Sequence, residues 1–372
     1  MNAPTINPEE PSTWVELGSR RYPVFIAPGL IKKTGELIEK VISAVSHYII
    51  VSSPQVFELH GGELVKSLEE VGLDPDVILV PDGEDAKTWD QTSQLIGGML
   101  DAGMDRKSLL IAFGGGSVGD LAGFASSIYL RGIRIVQIPT TLLGQVDSSI
   151  GGKTAVNHPK GKNLIGSFHQ PRIVVSDTGL LKTLSKRQVR SGLSEVVKYG
   201  VIRSQELFEV LECEAEILIE VEPNLVAEIV RRCAEIKAVF VEADERDTEG
   251  IRAALNYGHT LGHAIEKMSS HNITHGEAVA IGMNLAAEIS SELDLISRGE
   301  VLRQKNLLDK IGLKTEIPPY EPKEMLKVVR RDKKSHEGSI RFVLPKGIGE
   351  EPELRVVPDE LLLRTLESES HG

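Results

Sequence analysis

The chain has 372 residues and a formal net charge of −12, and only 4% of its residues are aromatic. The negative charge argues against nucleic acid as the main partner, because a phosphate backbone binds to a basic surface. The two cysteines, Cys213 and Cys233, form no CxxC pair, which argues against a disulfide framework or a thiolate metal site and favours a reducing compartment. The length exceeds what one hydrophobic core usually serves and predicts two domains.

The amino-terminal segment, MNAPTINPEEPSTW, is proline-rich and acidic and lacks the apolar core of a signal peptide. No uncharged apolar stretch has the length that crosses a bilayer. We therefore expect a soluble, cytoplasmic protein whose partners include neither a membrane nor a nucleic acid.

Residues 13–180 alternate short apolar runs with amphipathic segments such as IKKTGELIEKVISAV and GGELVKSLEEVG. Alternating strand and helix patterns predict a parallel sheet with helices on its faces, and continuous apolar runs are typical of strands that are buried on both sides. The predicted strands are YPVFIAPG, HYIIVSS, DVILVP, SLLIAFGGG, RIVQIPTT and RIVVSD.

From about residue 185 the pattern changes to long segments with the 3.6-residue period of amphipathic helices. The segment KSHEGSIRFVLPKGIGE, residues 334–350, interrupts this pattern and predicts a late hairpin. We expect one boundary near residue 180, with an α/β domain over residues 1–180 and a helical domain over residues 181–372. The clearest helical segments are RSGLSEVVKYGVI, NLVAEIVRRCAEIKAVFVEAD and HGEAVAIGMNLAAEISSELDL.

A glycine-rich loop follows the predicted strand SLLIAF and precedes a helical segment. Glycines at such a place let backbone amides approach a pyrophosphate at the helix N-terminus, although a tight turn that binds nothing has the same pattern. Two further polar loops, residues 82–87 and 139–147, follow other strands, and ligands of such sheets bind outside the carboxyl ends of the strands. The combination favours a nucleotide site, with a spacing that differs from GxGxxG. The glycines are Gly114, Gly115, Gly116 and Gly119.

Residues 131–198 contain eleven lysines and arginines but only three acidic residues. A solvated basic loop would explain a simple charge run. Here small residues and asparagines are interleaved with the lysines, which favours a phosphate or carboxylate site with ammonium groups as mobile point charges. An anionic polyol needs such a mixture, with cations for its acid groups and amides for its hydroxyls. The segment concerned, SSIGGKTAVNHPKGKN, contains Lys153, Asn157, Lys160, Lys162 and Asn163.

Three histidines lie close together in the helical half of the sequence. His259 and His263 are four residues apart and share one helix face, and His275 begins another predicted helix. Glu195 and Lys198 share a face of an earlier helix. Two histidines and one carboxylate form a ligand set that leaves an open coordination position, as catalytic zinc requires. Glu195 and the three histidines are four candidates for three places, and the fourth would suit an acid/base near neutral pH.

Six blocks of sequence occur in a fixed order along the chain. They are GGGSVGDLAGFASSIYLRG, PTTLLGQVDSSIGGKTAVNHPKGKNLIG, SGLSEVVKYG, NYGHTLGHAIE, HGEAVAIGM and RDKK. Together they resemble the 3-dehydroquinate synthase family of the sugar-phosphate cyclase superfamily, from about residue 15 to 350. The resemblance implies an N-terminal Rossmann-like NAD-binding domain with a parallel sheet and an all-α C-terminal domain that binds metal and substrate. It also implies tightly bound NAD, a divalent metal that is usually zinc, with Co²⁺ as a possible substitute, and a homodimer.

The family resemblance also implies an activity. It is that of a carbon–oxygen lyase that converts the sugar-phosphate acid 3-deoxy-D-arabino-heptulosonate 7-phosphate into 3-dehydroquinate and phosphate, in the shikimate pathway to chorismate and the aromatic amino acids. NAD takes a hydride from ring C5, phosphate is eliminated, NADH returns the hydride, and an intramolecular aldol reaction closes the carbocycle. The protein mainly positions groups and balances charge.

The resemblance assigns site residues by motif. It makes Glu195, His259 and His275 the metal ligands and His263 the acid/base. The positions that contact substrate are Arg131, Lys153, Asn163, Lys198, Lys237, Arg252, Asn256 and Lys334, with Lys333 as the alternative to the last. The positions that contact the cofactor are Asp82, Glu84, Lys87, Gly115, Gly116, Asp120, Thr140, Thr141, Asp147, Lys153, Lys162, Leu180 and Thr183.

Two positions depart from the family pattern. Ser53 stands where the family carries Asp or Asn for the adenosine side. The segment ADERDTEGIR is one residue longer than the common family spacing before Arg252, so the acid with a proton-transfer role there is either Asp247 or Glu249.

Three other functions compete with this one. A sister cyclase of the 2-deoxy-scyllo-inosose or epi-valiolone synthase type acts on a substrate without the carboxylate, and it should differ at Lys237, Arg252 and Asn256, which are intact here. A metal-dependent polyol dehydrogenase would accumulate NADH. A non-catalytic regulator that binds NAD and zinc would leave the lysine cluster without a purpose.

Overall fold

The structure, a computed structural model, describes residues 9–269, 272–332 and 340–369. It divides into two compact units, each made of two chain segments. Unit 1 comprises Met1–Ser185 and Val221–Arg246, and unit 2 comprises Lys186–Glu220 and Asp247–Gly372. The sequence predicts a single boundary near residue 180; in the structure the segment after Glu220 returns to unit 1, so that the units are not two contiguous halves of the chain.

A seven-stranded sheet forms the centre of unit 1, and it contains all six of the predicted strands. The seventh strand of the sheet is the edge strand β1. Strands β7 and β8 pair with each other in a separate two-stranded hairpin. The strands are β1 (Thr13–Val15), β2 (Tyr22–Ala27), β3 (Tyr48–Ser52), β4 (Pro75–Leu79), β5 (Leu109–Gly114), β6 (Arg134–Pro139), β7 (Lys153–His158), β8 (Gly161–Phe168) and β9 (Ile173–Asp177). The sheet order is β1-β2-β9-β6-β5-β3-β4, and every pairing is parallel except that of β1 with β2.

Apolar runs form the central strands because both faces of the sheet are covered. Side chains alternate between the faces with a period of two. On β5, Ile111 and Phe113 belong to one hydrophobic cluster, whereas Leu110 and Ala112 belong to the cluster on the opposite face. A strand buried in this way needs no polar alternation, which explains why its sequence is continuously apolar.

The helices of unit 1 include one from the second chain segment. That helix, α8, packs against β1 and β2. It contains the segment NLVAEIVRRCAEIKAVFVEAD, which the sequence places in the helical domain. The helices are α1 (Thr34–Val41), α2 (Pro54–Val56), α3 (Gly62–Glu69), α4 (Trp89–Asp101), α5 (Gly116–Ile128) and α8 (Pro223–Ala243), with a π-helical turn, Phe57–Gly61, between α2 and α3.

In its described residues, unit 2 is helical apart from loops and one two-stranded hairpin, as the sequence predicts for the C-terminal domain. Its helices are α6 (Lys186–Arg203), α7 (Gln205–Ile219), α9 (His259–Met268), α10 (His275–Glu292), α11 (Arg298–Ile311), α12 (Pro322–Asp332) and α13 (Asp359–Glu369). The hairpin pairs β10 (Arg341–Leu344) with β11 (Glu353–Val356), so its second strand lies beyond the predicted 334–350. Residues 334–339 of that prediction lie outside the described part of the chain. None of the described helices is long and apolar enough to cross a bilayer.

Candidate active site

Three helices of unit 2 meet backbone to backbone at glycines. A Cβ on Gly282 of α10 would lie 2.0 Å from the carbonyl oxygen of Gly258, at the start of α9. A Cβ on Gly276, also of α10, would lie 2.0 Å from the carbonyl oxygen of Ser191 on α6. The Gly276 N–H donates a hydrogen bond to Ser191 Oγ at 3.0 Å. Because no side chain fits at these contacts, α6, α9 and α10 approach closely enough for short polar side chains to meet.

Two of these helices begin with a histidine. His259 is the first residue of α9 and follows Gly258, whose φ of +78° is left-handed and favours glycine. His275 is the first residue of α10, after a capping box in which Thr274 and Glu277 satisfy each other's backbone N–H groups. Fixed helix starts therefore set the positions of both rings.

Glu195, His259 and His275 converge to form a group that can hold a metal ion. One ligand atom from each lies within 4.8 Å of the others. The Nε2 atoms of His259 and His275 lie 3.5 and 3.4 Å from Oε1 of Glu195, whose side chain is 1% exposed. Two imidazole nitrogens and a carboxylate oxygen are the donor set of a catalytic zinc site with an open position.

The other nitrogen of each histidine ring faces an acceptor. Nδ1 of His259 donates to the carbonyl oxygen of Tyr257 at 3.0 Å. Nδ1 of His275 lies 3.5 Å from Oε2 of Glu266. Acceptors at Nδ1 leave the Nε2 lone pair for a metal, and they fix the orientation of each ring. Glu266 is not among the site residues predicted from the sequence, although its position seven residues after His259 places both on one face of α9.

Burial and charge shift the pKa values of the two rings in opposite directions. Burial lowers the pKa of His259 to about 3, against the opposing effect of Glu195. Burial also acts to lower the pKa of His275, but contacts with Glu195 and Glu266 outweigh it and raise that pKa to about 9. His259 is therefore neutral at physiological pH, as a metal ligand must be, whereas metal binding at His275 has to displace a proton.

The remaining predicted site residues of unit 2 surround this group in different ways. The ring of His263 has its centroid 5.4 Å from that of His259 and 6.1 Å from that of His275, and its atoms are not part of the three-ligand group. Lys198 is buried and forms an ion pair with Glu195. Arg252 is buried and Asn256 is exposed, both on the 3₁₀ helix Ile251–Asn256 that precedes α9.

In unit 1 the glycine loop lies where the sequence predicts it, between β5 and α5. Gly115 is the N-cap of α5, and a Cβ there would lie 3.2 Å from Cγ2 of Thr141. Oγ1 of Thr140 is buried and has no hydrogen-bond partner among the residues that the structure describes. A cradle without side chains, a helix N-terminus and a buried hydroxyl fit a phosphate-containing ligand. Gly119 has a different role, because a Cβ there would lie 2.8 Å from Oε1 of Gln137 on β6.

The segment that the sequence presents as a lysine-rich loop is the β7–β8 hairpin. Its polar residues connect with the loop after β4. Nζ of Lys87 lies 2.5 Å from Oδ2 of Asp120 and 2.7 Å from Oδ1 of Asn163, which has a φ of +54°. Nδ2 of Asn157 donates to Oε2 of Glu84 at 2.7 Å. Burial raises the pKa of Asp120, while Lys87 opposes this shift.

Two other lysines of unit 1, Lys237 and Lys162, also lie close to acidic side chains. Nζ of Lys237 lies 2.9 Å from Oδ1 of Asp147, and Nζ of Lys162 lies 3.8 Å from Oε2 of Glu84. Lys153 is exposed at the start of β7. In two of these contacts, Lys87 with Asn163 and Asp147 with Lys237, a residue predicted to bind the cofactor meets one predicted to bind the substrate.

Arg131, another predicted substrate residue, is the last residue of the 3₁₀ helix Tyr129–Arg131 that follows α5. It lines a cavity of about 420 Å³, and none of the residues that line this cavity is another member of the predicted substrate set. Its φ of +70° is unusual for a residue other than glycine. Four more arginines line the cavity: Arg20, Arg106, Arg134 and Arg172.

Several predicted positions have a structural role or remain at the surface. The side chain of Leu180 belongs to the hydrophobic core of unit 1. Thr183 Oγ1 donates to the Leu180 carbonyl and lies 2.9 Å from Nε2 of His60. Asp82 is exposed, and Ser53 is buried. Lys334 and its alternative Lys333 lie outside the described residues.

Together these features define a class of enzyme. An α/β unit with a glycine loop at the start of a helix is combined in one chain with a helical unit in which two histidines meet the buried Glu195 carboxylate. Solved structures of sugar-phosphate cyclases share the whole architecture. The structure of 2-deoxy-scyllo-inosose synthase with carbaglucose-6-phosphate, NAD⁺ and Co²⁺ has a TM-score of 0.88 at 27% identity, and covers 96% of this chain and 99% of its own. That of 2-epi-5-epi-valiolone synthase from Streptomyces hygroscopicus, with NAD⁺ and Zn²⁺ bound, has a TM-score of 0.87 at 26% identity, with 96% and 98% covered.

The chain belongs to the 3-dehydroquinate synthase family. Residues 77–191 match the N-terminal 3-dehydroquinate synthase family model, and residues 192–335 match the C-terminal one. The 3-dehydroquinate synthase of Pelotomaculum thermopropionicum is 46% identical over 337 residues, 90% of each chain. That of Thermodesulfovibrio yellowstonii is 46% identical over 338 residues, 90% of this chain and 93% of its own. A probable glycerol dehydrogenase from Sinorhizobium meliloti, at 14% identity and a TM-score of 0.67, shares the fold alone. The predicted family and fold class are confirmed.

Proposed function

We propose that the protein is a 3-dehydroquinate synthase, a carbon–oxygen lyase of the shikimate pathway. It converts 3-deoxy-D-arabino-heptulosonate 7-phosphate into 3-dehydroquinate and phosphate. The observation that carries this proposal is the convergence of Glu195, His259 and His275 around the buried Glu195 carboxylate, with one ligand atom of each within 4.8 Å of the others, in a chain that is 46% identical to 3-dehydroquinate synthases over nine-tenths of its length.

The donor group of unit 2 fits a divalent metal. Glu195, His259 and His275 would hold the ion, and the acceptors at both Nδ1 atoms already orient the rings for binding through Nε2. Zinc is the proposed ion and Co²⁺ a substitute, since the two related cyclase structures contain Zn²⁺ or Co²⁺. When bound, such an ion acts as a Lewis acid toward a substrate hydroxyl.

The glycine loop of unit 1 fits NAD, which the same two cyclase structures contain. Backbone N–H groups of Gly115 and Gly116 at the start of α5 suit a pyrophosphate, and the buried Thr140 hydroxyl needs a partner. When bound, NAD supplies a reversible hydride acceptor. Ten further positions carried over from the family for the cofactor are Asp82, Glu84, Lys87, Asp120, Thr141, Asp147, Lys153, Lys162, Leu180 and Thr183.

The chain's own residues hold a multiply anionic substrate and move its protons. Lysines and arginines neutralise the carboxylate and phosphate groups, and asparagine amides bind the hydroxyls. His263 lies beside the metal group without belonging to it, which suits a group that transfers a proton. The substrate residues are Arg131, Lys153, Asn163, Lys198, Lys237, Arg252, Asn256 and Lys334.

We propose further that the protein is a cytoplasmic homodimer. Four large apolar side chains of unit 1, at the end of α5 and along β8, are exposed: Ile128, Leu130, Leu164 and Phe168. Apolar side chains that are exposed on a single chain are available for association with a second copy. Sedimentation equilibrium should give a mass twice that of one chain. A monomer at micromolar concentration would contradict this part of the proposal.

A sister cyclase and a polyol dehydrogenase are the alternatives. Both cyclase structures are only 26–27% identical to this chain, against 46% for the 3-dehydroquinate synthases. The discriminating experiment supplies the heptulosonate phosphate and follows released phosphate and absorbance at 340 nm together. The proposal requires stoichiometric phosphate with no net NADH. Release of phosphate from sugar phosphates without the carboxylate instead would indicate a sister cyclase, and accumulation of NADH with a polyol would indicate a dehydrogenase.

A further inference from the structure

Glu266 is a buried carboxylate beside a proposed metal ligand. Its side chain is 10% exposed, and Oε2 lies 3.5 Å from Nδ1 of His275. An ionised carboxylate loses several kcal/mol of hydration on burial, so a site of this kind needs a compensating cationic or hydrogen-bonding group. The imidazole of His275 is such a group.

The position of Glu266 follows from helix geometry. His259, His263 and Glu266 are residues i, i+4 and i+7 of α9 and therefore lie on one face. Across from this face, α10 begins at His275, and the glycine contacts between α9 and α10 hold the two helices together. One helix face thus presents a proposed ligand, a proposed proton-transfer group and a carboxylate.

The two sides of the His275 ring face different carboxylates. Nε2 lies 3.4 Å from Glu195, and Nδ1 lies 3.5 Å from Glu266. A carboxylate that accepts from Nδ1–H fixes the tautomer in which Nε2 carries the lone pair, holds the ring plane, and raises the basicity of the ligand nitrogen. The backbone carbonyl of Tyr257 accepts from Nδ1 of His259 and fixes that ring in the same way, but a side-chain substitution cannot remove this acceptor.

We propose that Glu266 is a positioning residue that holds His275 in the tautomer and orientation required for metal binding. The inference rests on the proposed metal site of Glu195, His259 and His275. It assigns Glu266 no contact with substrate or cofactor.

The test uses the full-length protein loaded with one equivalent of Co²⁺, which reports its coordination by visible absorption. Transfer of Co²⁺ to excess EDTA is timed for the wild type and for Glu266→Gln, Glu266→Leu and Glu266→Asp. Loss of a partner of this kind typically costs 10–100-fold in metal affinity. We expect metal loss about 10-fold faster or more in Glu266→Leu, a smaller acceleration in Glu266→Gln, whose amide oxygen still accepts, and substantial rescue in Glu266→Asp.

Glu288→Gln is the matched control. Glu288 lies on α10, its side chain is 12% exposed, and it pairs with Arg298. Its removal takes away a similarly buried carboxylate of the same unit without altering the group at His275, so Co²⁺ should leave this variant at the wild-type rate. Nitrogen-15 NMR of the imidazoles in the Zn²⁺-loaded protein supplies a second readout, in which Glu266→Gln should shift the Nδ1–H signal of His275.

The possible outcomes separate the two proposals. Wild-type protein that binds no Co²⁺ overturns the metal site itself. Wild-type protein that binds Co²⁺ while all Glu266 variants keep the wild-type loss rate and spectrum overturns the positioning role alone. Equal acceleration in Glu288→Gln and Glu266→Gln would also overturn it, since the effect would then follow from lost stability. If Glu266→Leu does not fold, the Gln and Asp variants decide the result.

Discussion

Different physical interactions position the side chains of the metal group in unit 2 and those of the lysine network in unit 1. In unit 2, glycines bring helix backbones together, and the ligand side chains converge because the helix starts are fixed. In unit 1, cationic side chains are placed by acids, as Lys87 is by Asp120 and Lys237 by Asp147. Backbone packing fixes a few atoms tightly, whereas ion pairs position long side chains and balance their charge.

The difference has a consequence for ligand binding. Lysines that are already paired with acids give a locally balanced charge, so an anionic ligand must compete with these acids. The His₂–carboxylate group of unit 2 instead presents donor atoms that point at one another. We therefore expect substitutions in unit 2 to act on metal content and turnover, and substitutions of the lysine pairs to act first on stability.

Among substitutions outside the three proposed metal ligands, the largest expected effect is that of His263→Ala. His263 lies beside the metal group but outside it, so the variant should keep its metal while turnover falls by about 10²–10⁴-fold, the usual contribution of a general acid or base. Metal content by mass spectrometry and phosphate release measure the two quantities. His47→Ala, at an exposed position in unit 1, is the control. Loss of metal from His263→Ala would mean that this ring is a ligand.

Lys87→Met tests the ion-pair network of unit 1. The variant leaves the Asp120 carboxylate, which is 18% exposed, without its closest cation, and removal of one partner of a buried pair costs about 3 kcal/mol or more. Urea unfolding followed by circular dichroism measures the change. Lys66→Met, which breaks the exposed pair with Glu70, should cost less than about 1 kcal/mol. Equal effects of the two substitutions would refute the structural role of Lys87.

Gly276→Ala tests backbone packing in unit 2. The added Cβ meets the Ser191 carbonyl oxygen at 2.0 Å, so α6 and α10 must separate where Glu195 and His275 meet. Overpacking of this kind costs about 1–3 kcal/mol, and metal affinity should fall with it. Gly299→Ala is the control, because its Cβ meets no atom closer than Ser297 Oγ at 3.9 Å. We expect that variant to stay within about 0.5 kcal/mol of the wild type in thermal unfolding.

Much of the fold could be predicted from the sequence because buried parallel strands are continuously apolar. All six predicted strands of the sheet are present. The β7–β8 hairpin escaped prediction because its lysines and asparagines resemble a solvated loop. The return of α8 to unit 1 also escaped, since amphipathic periodicity shows that a helix has an apolar face but not which core that face covers.

The candidate site was predictable to a similar degree. Spacing placed His259 and His263 on one helix face, and the family resemblance divided their roles. Glu266 was not found because a glutamate on a helix is most often a solvated surface residue. The contact between Lys87 and Asp120 was not found either, because it joins residues 33 positions apart through the packing of a loop against α5. Such contacts depend on tertiary structure, which periodicity does not contain.

The dependence of phosphate release on metal bound at Glu195, His259 and His275 is tested most directly by measuring bound metal and released phosphate together. EDTA is added in steps to the protein with NAD and the heptulosonate phosphate, and both quantities are measured at each step for the wild type and for His259→Ala. Phosphate release should fall in proportion to metal lost, return on addition of Zn²⁺ or Co²⁺, and be absent from His259→Ala. Full phosphate release from metal-free protein, or from His259→Ala, would contradict this dependence.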